Sequence, residues 1–541
     1  MVVTFMSGNV FSQPGLVFEK APGKPKVTME ACPEFIGEST QGYFMWYPSG
    51  TTTNGIAKKT LVAVSEESLL VKTQKEFSVV KVAKQRRHIS GFFMLNDELY
   101  VRLTFSSRKL KKLIYYAHKV NQQTLEIDEN GKLIFEYAYN PYLPPFYYEL
   151  STTWISTPDR KHLLAVCCDM TSKTSCTMRV RCFDQNLSVT GTSSYSFTTQ
   201  YPAFSCLQSL AANDGSLYYL MQEPSGEENT IDKIKLMRCW PDGRAPVIQP
   251  LEMFGEHPVD ARMTLGKNGE VIVAGYYSDN GEYSVRGVFS GLLDTLSLKL
   301  QNIKVIPFSL EDRLRNLTEE QRKQLDLEKT EKPLEIVGYY INDVVIDTKN
   351  NIYVIGEEYN ERVLVMTSTS TNTINTGNNT YVGISTKHAD GEKTKYEYGK
   401  VLVSCLPASG KTVYNHYISK KQECDLFYRS AGSIKAKAGD NGVTVLYNAF
   451  NRGEFYLAQN MIGYERDRRS LYHAVVQLNA AGEVSENKLL CDFKLQKKDE
   501  PLGKYSCEEK IMLNVSLELG DGSLLMILMN EKRDFQVFRW K

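Results

Sequence analysis

Short runs of β-branched and aromatic residues recur along the chain, and each run follows a polar turn. The turn Asn213-Asp214-Gly215 precedes Leu217–Leu220, and the turn Lys267-Asn268-Gly269 precedes Val271–Ala274. Asn-Gly and Asp-Gly pairs adopt the positive φ that tight hairpins require, while branched and aromatic side chains pack well on a pleated sheet. The pattern therefore predicts antiparallel strands joined by short turns.

The turn-and-strand pattern is periodic, with units of about 55 residues in the first half of the chain and longer units in the second half. A second turn divides each unit, for example at Trp240–Gly243 and at Leu478–Gly482. Each unit therefore contains four strands, and up to eight units fit the chain. Repeated four-stranded antiparallel units are typical of a β-propeller. The sequence predicts an all-β fold, a single propeller of eight four-stranded blades, or of seven if the first unit is distorted.

The last unit is one strand short, because the chain stops after the run Phe535–Trp540. The segment Gly15–Glu19 lies before the first unit and has no other assigned place. An open ring would leave exposed sheet edges, which favour unwanted association. We therefore predict that this N-terminal strand supplies the missing fourth strand of the last blade and closes the ring.

One segment resembles a known repeat. Residues Asp343-Val-Val-Ile-Asp347-Thr-Lys-Asn-Asn351-Ile-Tyr-Val-Ile-Gly356 resemble the D-x-x-G-N-x-Y-V-x-G repeat of secreted bacterial β-propellers, and Val271–Tyr277 is similar. Asn350 stands where that repeat usually has glycine. The resemblance implies a propeller fold and an extracytoplasmic location, in the periplasm or at the cell surface, and it implies no particular activity.

The first thirteen residues differ from the rest of the chain. Residues 1–13 are apolar and uncharged, and Val10 and Ser12 have the spacing of a signal-peptidase site. We expect either a truncated signal peptide or a disordered tail here, with the propeller occupying residues 14–541. No apolar run approaches the ~20 residues that a membrane helix needs, so no transmembrane segment is predicted.

The longer units place insertions on one side of the propeller. Loops between the second and third strands of a blade and loops between blades emerge on the same face, which we call the insertion face. The insertions are residues 308–340, 366–396, 450–470 and 493–508, and the first has a helix cap at Ser309 and Asp312 that predicts one short helix. The candidate binding residues on this face are Tyr276, Tyr277, Glu357, Glu358, Tyr359, Phe450 and Tyr456.

Composition narrows the function classes. The chain is 42% hydrophobic and 23% charged, and its 64 basic and 63 acidic side chains give a net charge of +1. These values exclude a largely disordered chain and a strongly basic nucleic-acid binder. The eleven cysteines include no C-x2-C pair, and the histidines form no H-E-x-x-H motif, so no metal or other cofactor is predicted. Cys168 and Cys176 flank a turn and would be able to bridge it in an oxidising compartment.

The sequence thus favours a non-catalytic, exported propeller that binds a protein or glycan partner of the cell envelope through the insertion face. The alternative is a carbohydrate-active enzyme, a glycosidase or lyase, with carboxylates at the central channel. A glycosidase needs two carboxyl groups about 5–5.5 Å or 6.5–9.5 Å apart. The candidates follow the second strands of their blades and are Asp169, Glu223, Glu357 and Glu358. The oligomeric state is left open.

Overall fold

The computed structural model describes most of the chain. The described residues are 10–13, 16–20, 27–28, 33–51, 57–82, 85–107, 109, 111–138, 152–170, 175–198, 205–223, 233–253, 255–279, 284–316, 336–369, 372–376, 379–383, 387–409, 414–424, 433–440, 442–450, 454–457, 471–479, 481–489, 510–529 and 534–541. Within these ranges no helix has both the length and the apolar character needed to cross a membrane.

Eight four-stranded antiparallel sheets form the blades of a β-propeller, which confirms the predicted fold and blade number. The first strand of each blade lies at the channel and the fourth at the rim. In blade order the strands are Glu34–Ser39, Gly42–Thr51, Ala57–Val64 and Val71–Phe77; Gln85–Leu95, Glu98–Ser107, Lys112–Val120 and Ile127–Ala138; Thr152–Ser156, Leu163–Met170, Ser175–Phe183 and Val189–Thr198; Ser205–Ala211, Leu217–Glu223, Lys233–Cys239 and Val247–Pro250; His257–Leu265, Val271–Ser278, Gly287–Leu293 and Leu300–Pro307; Tyr339–Ile346, Ile352–Thr369, Lys387–Leu406 and Tyr414–Ile418; Lys435–Ala438, Gly442–Phe450, Leu471–Asn479 and Val484–Leu489; and Lys510–Glu518, Leu524–Met529, Asp534–Trp540 and Leu16–Lys20.

Short elements supplement the blades. The predicted helix is present at Leu310–Asn316, where the Ser309 hydroxyl and the Asp312 carboxylate cap each other's backbone N–H groups at 3.1 and 3.3 Å. The additional strands are Val10–Gln13, Val27–Thr28, Val79–Val82, Ser284–Val285, Ile336–Val337, Asn372–Thr376, Asn379–Gly383, Lys421–Cys424 and Glu454–Leu457.

The two ends of the chain close the ring. Leu16–Lys20 pairs antiparallel with Asp534–Trp540, so that Phe18 lies opposite Trp540. The short strand Val27–Thr28 pairs with the other end of the same strand. The prediction of closure by an N-terminal strand is therefore confirmed.

The turn that resembles the bacterial repeat is organised by one buried carboxylate. Asp347 accepts the backbone N–H groups of Lys349 and Asn351 at 2.8 and 2.9 Å, and it also accepts the Tyr353 hydroxyl at 3.1 Å. Asn350 has a φ of 64°, a left-handed conformation that asparagine tolerates better than most residues. This explains how asparagine occupies the position where glycine is usual in the repeat.

The hydrophobic core lies between neighbouring blades, and cysteines contribute to it. Between blades 3 and 4, Cys182 and Cys239 are buried among Leu164, Val180 and Leu217. Both thiols are free, and burial raises the pKa of Cys182 to about 11 and that of Cys239 to about 12. These cysteines therefore act as small hydrophobic residues.

The possible disulfide of blade 3 stays a prediction. The backbone register sets Cys168 opposite Met178 and Cys176 opposite Met170. The two cysteines are thus diagonal neighbours on adjacent strands. Their side chains lie outside the part of the structure that is described.

Blade 2 contains a buried histidine held in one protonation state. His118 Nδ1 lies 2.8 Å from the carbonyl oxygen of Asp128, and Nε2 lies 2.8 Å from the Arg87 guanidinium. A carbonyl only accepts and a guanidinium only donates, so His118 is neutral, with its proton on Nδ1. Burial, assisted by the positive charge of Arg87, lowers the pKa of His118. The Tyr116 ring also faces this pair.

We expect the protein to lose stability as the pH falls below about 6.5, the ordinary histidine value. His118 then binds a proton in the unfolded chain but stays neutral in the folded protein, where its pKa is lowered. This difference stabilises the unfolded state. Urea midpoints at about pH 7.5 and about pH 5.5 should differ more in the natural protein than in His118→Gln. His257→Gln, which changes an exposed histidine, should keep the difference. An equally steep pH dependence in His118→Gln would contradict this account.

Candidate binding site at the channel mouth

The second and third strands of blade 6 rise above the propeller as a long hairpin. Ile352–Thr369 and Lys387–Leu406 stay paired from Ile352, opposite Leu406, to Thr369, opposite Lys387. Lys421–Cys424 continues the line of the fourth strand and pairs with the same hairpin, and Glu454–Leu457 from blade 7 adds to it in parallel. We call residues 359–369, 387–398, 421–424 and 454–457 the accessory sheet. It joins segments of two neighbouring blades on the insertion face.

The structure describes parts of three of the four predicted insertions. Parts of 366–396 and 450–470 lie in the accessory sheet, and the start of 308–340 forms the short helix. That helix is held against the fourth strand of blade 6, because Asp312 accepts hydrogen bonds from Asn415 Nδ2 at 3.1 Å and, through its carbonyl, from the Tyr417 hydroxyl at 2.9 Å. The insertion 493–508 lies outside the described residues.

Three tyrosines form a cluster at the mouth of the channel. Tyr340, near the start of the innermost strand of blade 6, is 56% exposed. Its ring meets Tyr359 edge-on at a centroid distance of 6.1 Å, and Tyr359 lies 5.3 Å from Tyr398. We call Tyr340, Tyr359 and Tyr398 the tyrosine platform. Edge-to-face contact fixes the rings relative to one another, so the platform offers one exposed aromatic surface with rigid support.

A buried ion pair lies beside the platform. The carboxylate of Glu357 contacts the ammonium group of Lys420, and both side chains are at most 5% exposed. Lys420 also donates to Gln422 Oε1 at 2.6 Å and lies 5.5 Å from the Tyr398 ring centroid. The Ser433 hydroxyl donates to Glu357 and accepts from Asn342 Nδ2 at 2.6 Å. Because these groups satisfy one another, the charges are tolerated in the interior.

The same polar network continues into the next two blades. Gln422 Nε2 donates to the carbonyl of Asn448 at 2.7 Å, and the Asn448 side chain exchanges two hydrogen bonds with the backbone of Ile511 at 2.8 and 3.1 Å. Gln422 belongs to the accessory sheet, Asn448 to blade 7 and Ile511 to blade 8. The platform is thereby fixed to three consecutive blades.

Two carboxyl groups lie on the innermost strands of blades 5 and 6, each directly after a β-bulge. Asp260 accepts hydrogen bonds from Arg262 and from the backbone of Ala261 and Ile341 at 2.7–2.8 Å, which joins the two blades. Asp343 accepts only the N–H of Val344 in the described contacts, at 2.9 Å. Burial raises the pKa of both carboxyl groups. Among the described residues, no group of three or more potential ligands is placed to hold a metal ion.

The candidate residues from the sequence fall into different environments. Glu357 belongs to the buried network and Tyr359 to the platform, while half-buried Glu358 accepts the backbone N–H of Lys400 at 3.0 Å. Tyr276 and Tyr277 are buried, and Tyr276 packs against Phe308 between blades 5 and 6. These two rings therefore belong to the core and present no exposed surface.

The other candidates are less fully described. Phe450 ends a strand of blade 7 and Tyr456 lies in the accessory sheet, but their side chains are outside the described part of the structure, as is that of Asp169. Glu223 pairs with Lys235 at 2.7 Å. Sequence reasoning missed Tyr340, Asn342 and Lys420. The available signal for Tyr340 was the pair of aromatic residues at the start of an innermost strand.

The comparisons with known proteins found similar solved structures only. No protein-family model matches the chain, and no curated protein matches it. Among solved structures, the chain is similar to polysaccharide lyase Uly1, with 10% identity and a TM-score of 0.36 over 96% of this chain and 99% of that one. It is also similar to the β-propeller domain of the Trilobed protease from Pyrococcus furiosus, with 9% identity and a TM-score of 0.32 over 88% and 97%. A third similar structure is the α-L-arabinanase of Penicillium chrysogenum, with 10% identity and a TM-score of 0.28 over 73% of this chain and 90% of that one.

The strand topology itself defines the class of this protein. It is an eight-bladed, all-β propeller whose last blade is completed by an N-terminal strand.

Proposed function

We propose that the protein is a non-catalytic glycan-binding propeller that holds a sugar chain against the tyrosine platform on the insertion face. The observation that carries the proposal is the exposed ring of Tyr340 at the channel mouth. Small-molecule sites combine aromatic surface with a few polar groups that fix orientation. Here the exposed residue Asn342, two positions further along the same strand, supplies an amide. Of the two partner classes that the sequence leaves open, this combination favours a glycan.

The support under the platform favours binding without large rearrangement. Tyr359 and Tyr398 hold the exposed ring from behind, and the Glu357–Lys420 network ties the platform to blade 7. A site that is already ordered loses less conformational entropy when a ligand binds. The apolar segment 1–13 and the repeat-like segment that ends at Gly356 support an exported protein, so the proposed ligand is a glycan of the cell envelope.

The position and the raised pKa of Asp343 favour the alternative, a glycosidase or lyase. Asp343 directly follows Asn342 on the innermost strand of blade 6, and its raised pKa suits a proton donor. Asp260 and Glu357, by contrast, are occupied by ion pairs and hydrogen bonds. Product release from a polysaccharide that stops in Asp343→Asn, with binding retained, would assign the protein to the enzymes.

Tyr340→Ala is expected to weaken glycan binding about tenfold, because an aromatic anchor at the centre of a site contributes more than 1 kcal/mol. Affinity electrophoresis against xylan, arabinan, polygalacturonate and dextran would identify a bound glycan, and calorimetry would give its affinity. Leu296→Ala is the control, since Leu296 is 72% exposed in a turn on the opposite face. Unchanged affinity in Tyr340→Ala, at an unchanged melting temperature, would refute the proposed site.

A further inference from the structure

Blade 2 begins with a basic hairpin on the insertion face. The strand Val79–Val82 follows blade 1 in the chain and pairs with the start of Gln85–Leu95 at the inner edge of blade 2. We call residues 79–82 and 85–88 the basic hairpin. Lys81 lies directly opposite Arg86, and His88 lies two residues further along the same side. All three are exposed. Like charges directly opposite each other destabilise a pair of strands, so this arrangement carries an unfavourable repulsion.

The other side of the hairpin adds a buried cation. Arg87 is 7% exposed and lies over the Tyr116 ring, with its guanidinium carbon 3.7 Å from the ring centroid. It donates to neutral His118, and its Nε finds no acceptor. In the described part of the chain, no carboxylate forms an ion pair with Lys81, Arg86 or Arg87. Burying a charge without a counter-charge is costly, and a bound anion would offset that cost through its field.

We infer that the basic hairpin is an anion-binding element and that the glycan held by this protein is acidic, with carboxylate or sulfate groups along its chain. The sugar nature of the ligand rests on the proposed function; the anionic nature rests on the hairpin alone. In an eight-bladed ring, blade 2 faces blade 6 across the channel. A chain lying over the channel mouth therefore meets the tyrosine platform on one side and the cations on the other.

A polymer fits this element better than a small ion. Arg86 and His88 are alternate residues of one strand, about 7 Å apart at ~3.3 Å per residue, and Lys81 extends the row across the hairpin. Lys81 and Arg86 carry positive charges on an open surface, which suits repeated anionic groups along a chain. A nucleic acid is less favoured, because a net charge of +1 and a pI of about 7.5 are far from those of a basic nucleic-acid-binding domain.

The test compares two double variants that each remove two positive charges. Lys81→Gln/Arg86→Gln changes the basic hairpin, and Lys161→Gln/Lys267→Gln changes two exposed lysines in turns on the opposite face. The acidic probes are polygalacturonate and dextran sulfate, and the neutral probes are xylan and dextran. We expect the hairpin variant to bind acidic probes about tenfold more weakly at low salt. Lys81→Arg/Arg86→Lys, which keeps the charge, should bind like the natural protein.

The outcomes separate this inference from the proposed function. If neutral probes bind at the Tyr340 site as tightly as acidic ones, and the hairpin variant changes neither, the inference fails and the proposed function stands. If no polysaccharide binds, both fail. If the two double variants lost affinity for the acidic probes equally, the effect would depend on net charge and not on the basic hairpin. That result would overturn the inference. Preference for duplex DNA over every glycan, lost in the hairpin variant, would assign the hairpin to another ligand class and also overturn it.

Discussion

Replacing Trp540 with alanine is expected to lower the free energy of unfolding by about 3–5 kcal/mol, the range for removing a large buried aromatic side chain. Trp540 is 1% exposed and lies in the third strand of blade 8, opposite Leu524 on one side and Phe18 of the N-terminal strand on the other. Its loss leaves a cavity where the two chain ends meet. Urea denaturation followed by fluorescence and circular dichroism would measure the change.

The neighbouring residue provides the control. Lys541 pairs with Glu19 at 2.5 Å, and its side chain is 40% exposed. An exposed ion pair contributes little, so Lys541→Ala should cost less than about 1 kcal/mol. If Trp540→Ala were no more destabilising than Lys541→Ala, packing at the closure would not hold the ring together.

Glu357→Gln is expected to cost about 3–5 kcal/mol, because it leaves the Lys420 ammonium group buried without a counter-charge. The pair is buried on both sides and shares its hydrogen bonds with Ser433 and Gln422. We also expect weaker glycan binding, since the same network supports the tyrosine platform. Urea denaturation of the natural protein and the variant gives the stability difference.

A double-mutant cycle gives the sharper test. Glu357→Gln/Lys420→Met removes both charges and should recover much of the lost stability, since the penalty lies in the unpaired charge. Glu223→Gln is the matched control, because its pair with Lys235 is 41% and 29% exposed. If Glu357→Gln lowered the free energy of unfolding no more than Glu223→Gln does, the buried ion pair would stabilise the protein no more than the exposed one.

Local signals account for the features that sequence reasoning predicted well. The turns are specified by a few neighbouring residues, as in Asp347–Tyr353, so their spacing reveals the number of blades. The helix at Leu310–Asn316 follows from its cap at Ser309. Closure followed from counting strands, since the last unit was one short and Gly15–Glu19 was unassigned.

The site depends on contacts between distant parts of the chain, and these leave no local signal. Asn342 and Ser433 are 91 positions apart, and Asn448 and Ile511 are 63 apart. Tyr276 and Tyr277 looked like loop residues after Gly275. The strand in fact continues to Ser278, which carries both rings into the core. Burial of one tyrosine and exposure of another are decided by the packing of whole blades.

Ring closure also constrains how the protein is made. Glu19 and Lys541, which pair across the closure, are separated by 522 positions, so a growing chain contains both only once Lys541 has been added. Contacts between such distant residues form slowly, and unpaired strand edges are prone to aggregation in the meantime. Until residues 534–541 have been made, the N-terminal strand Leu16–Lys20 therefore has no partner strand in blade 8, and the ring stays open.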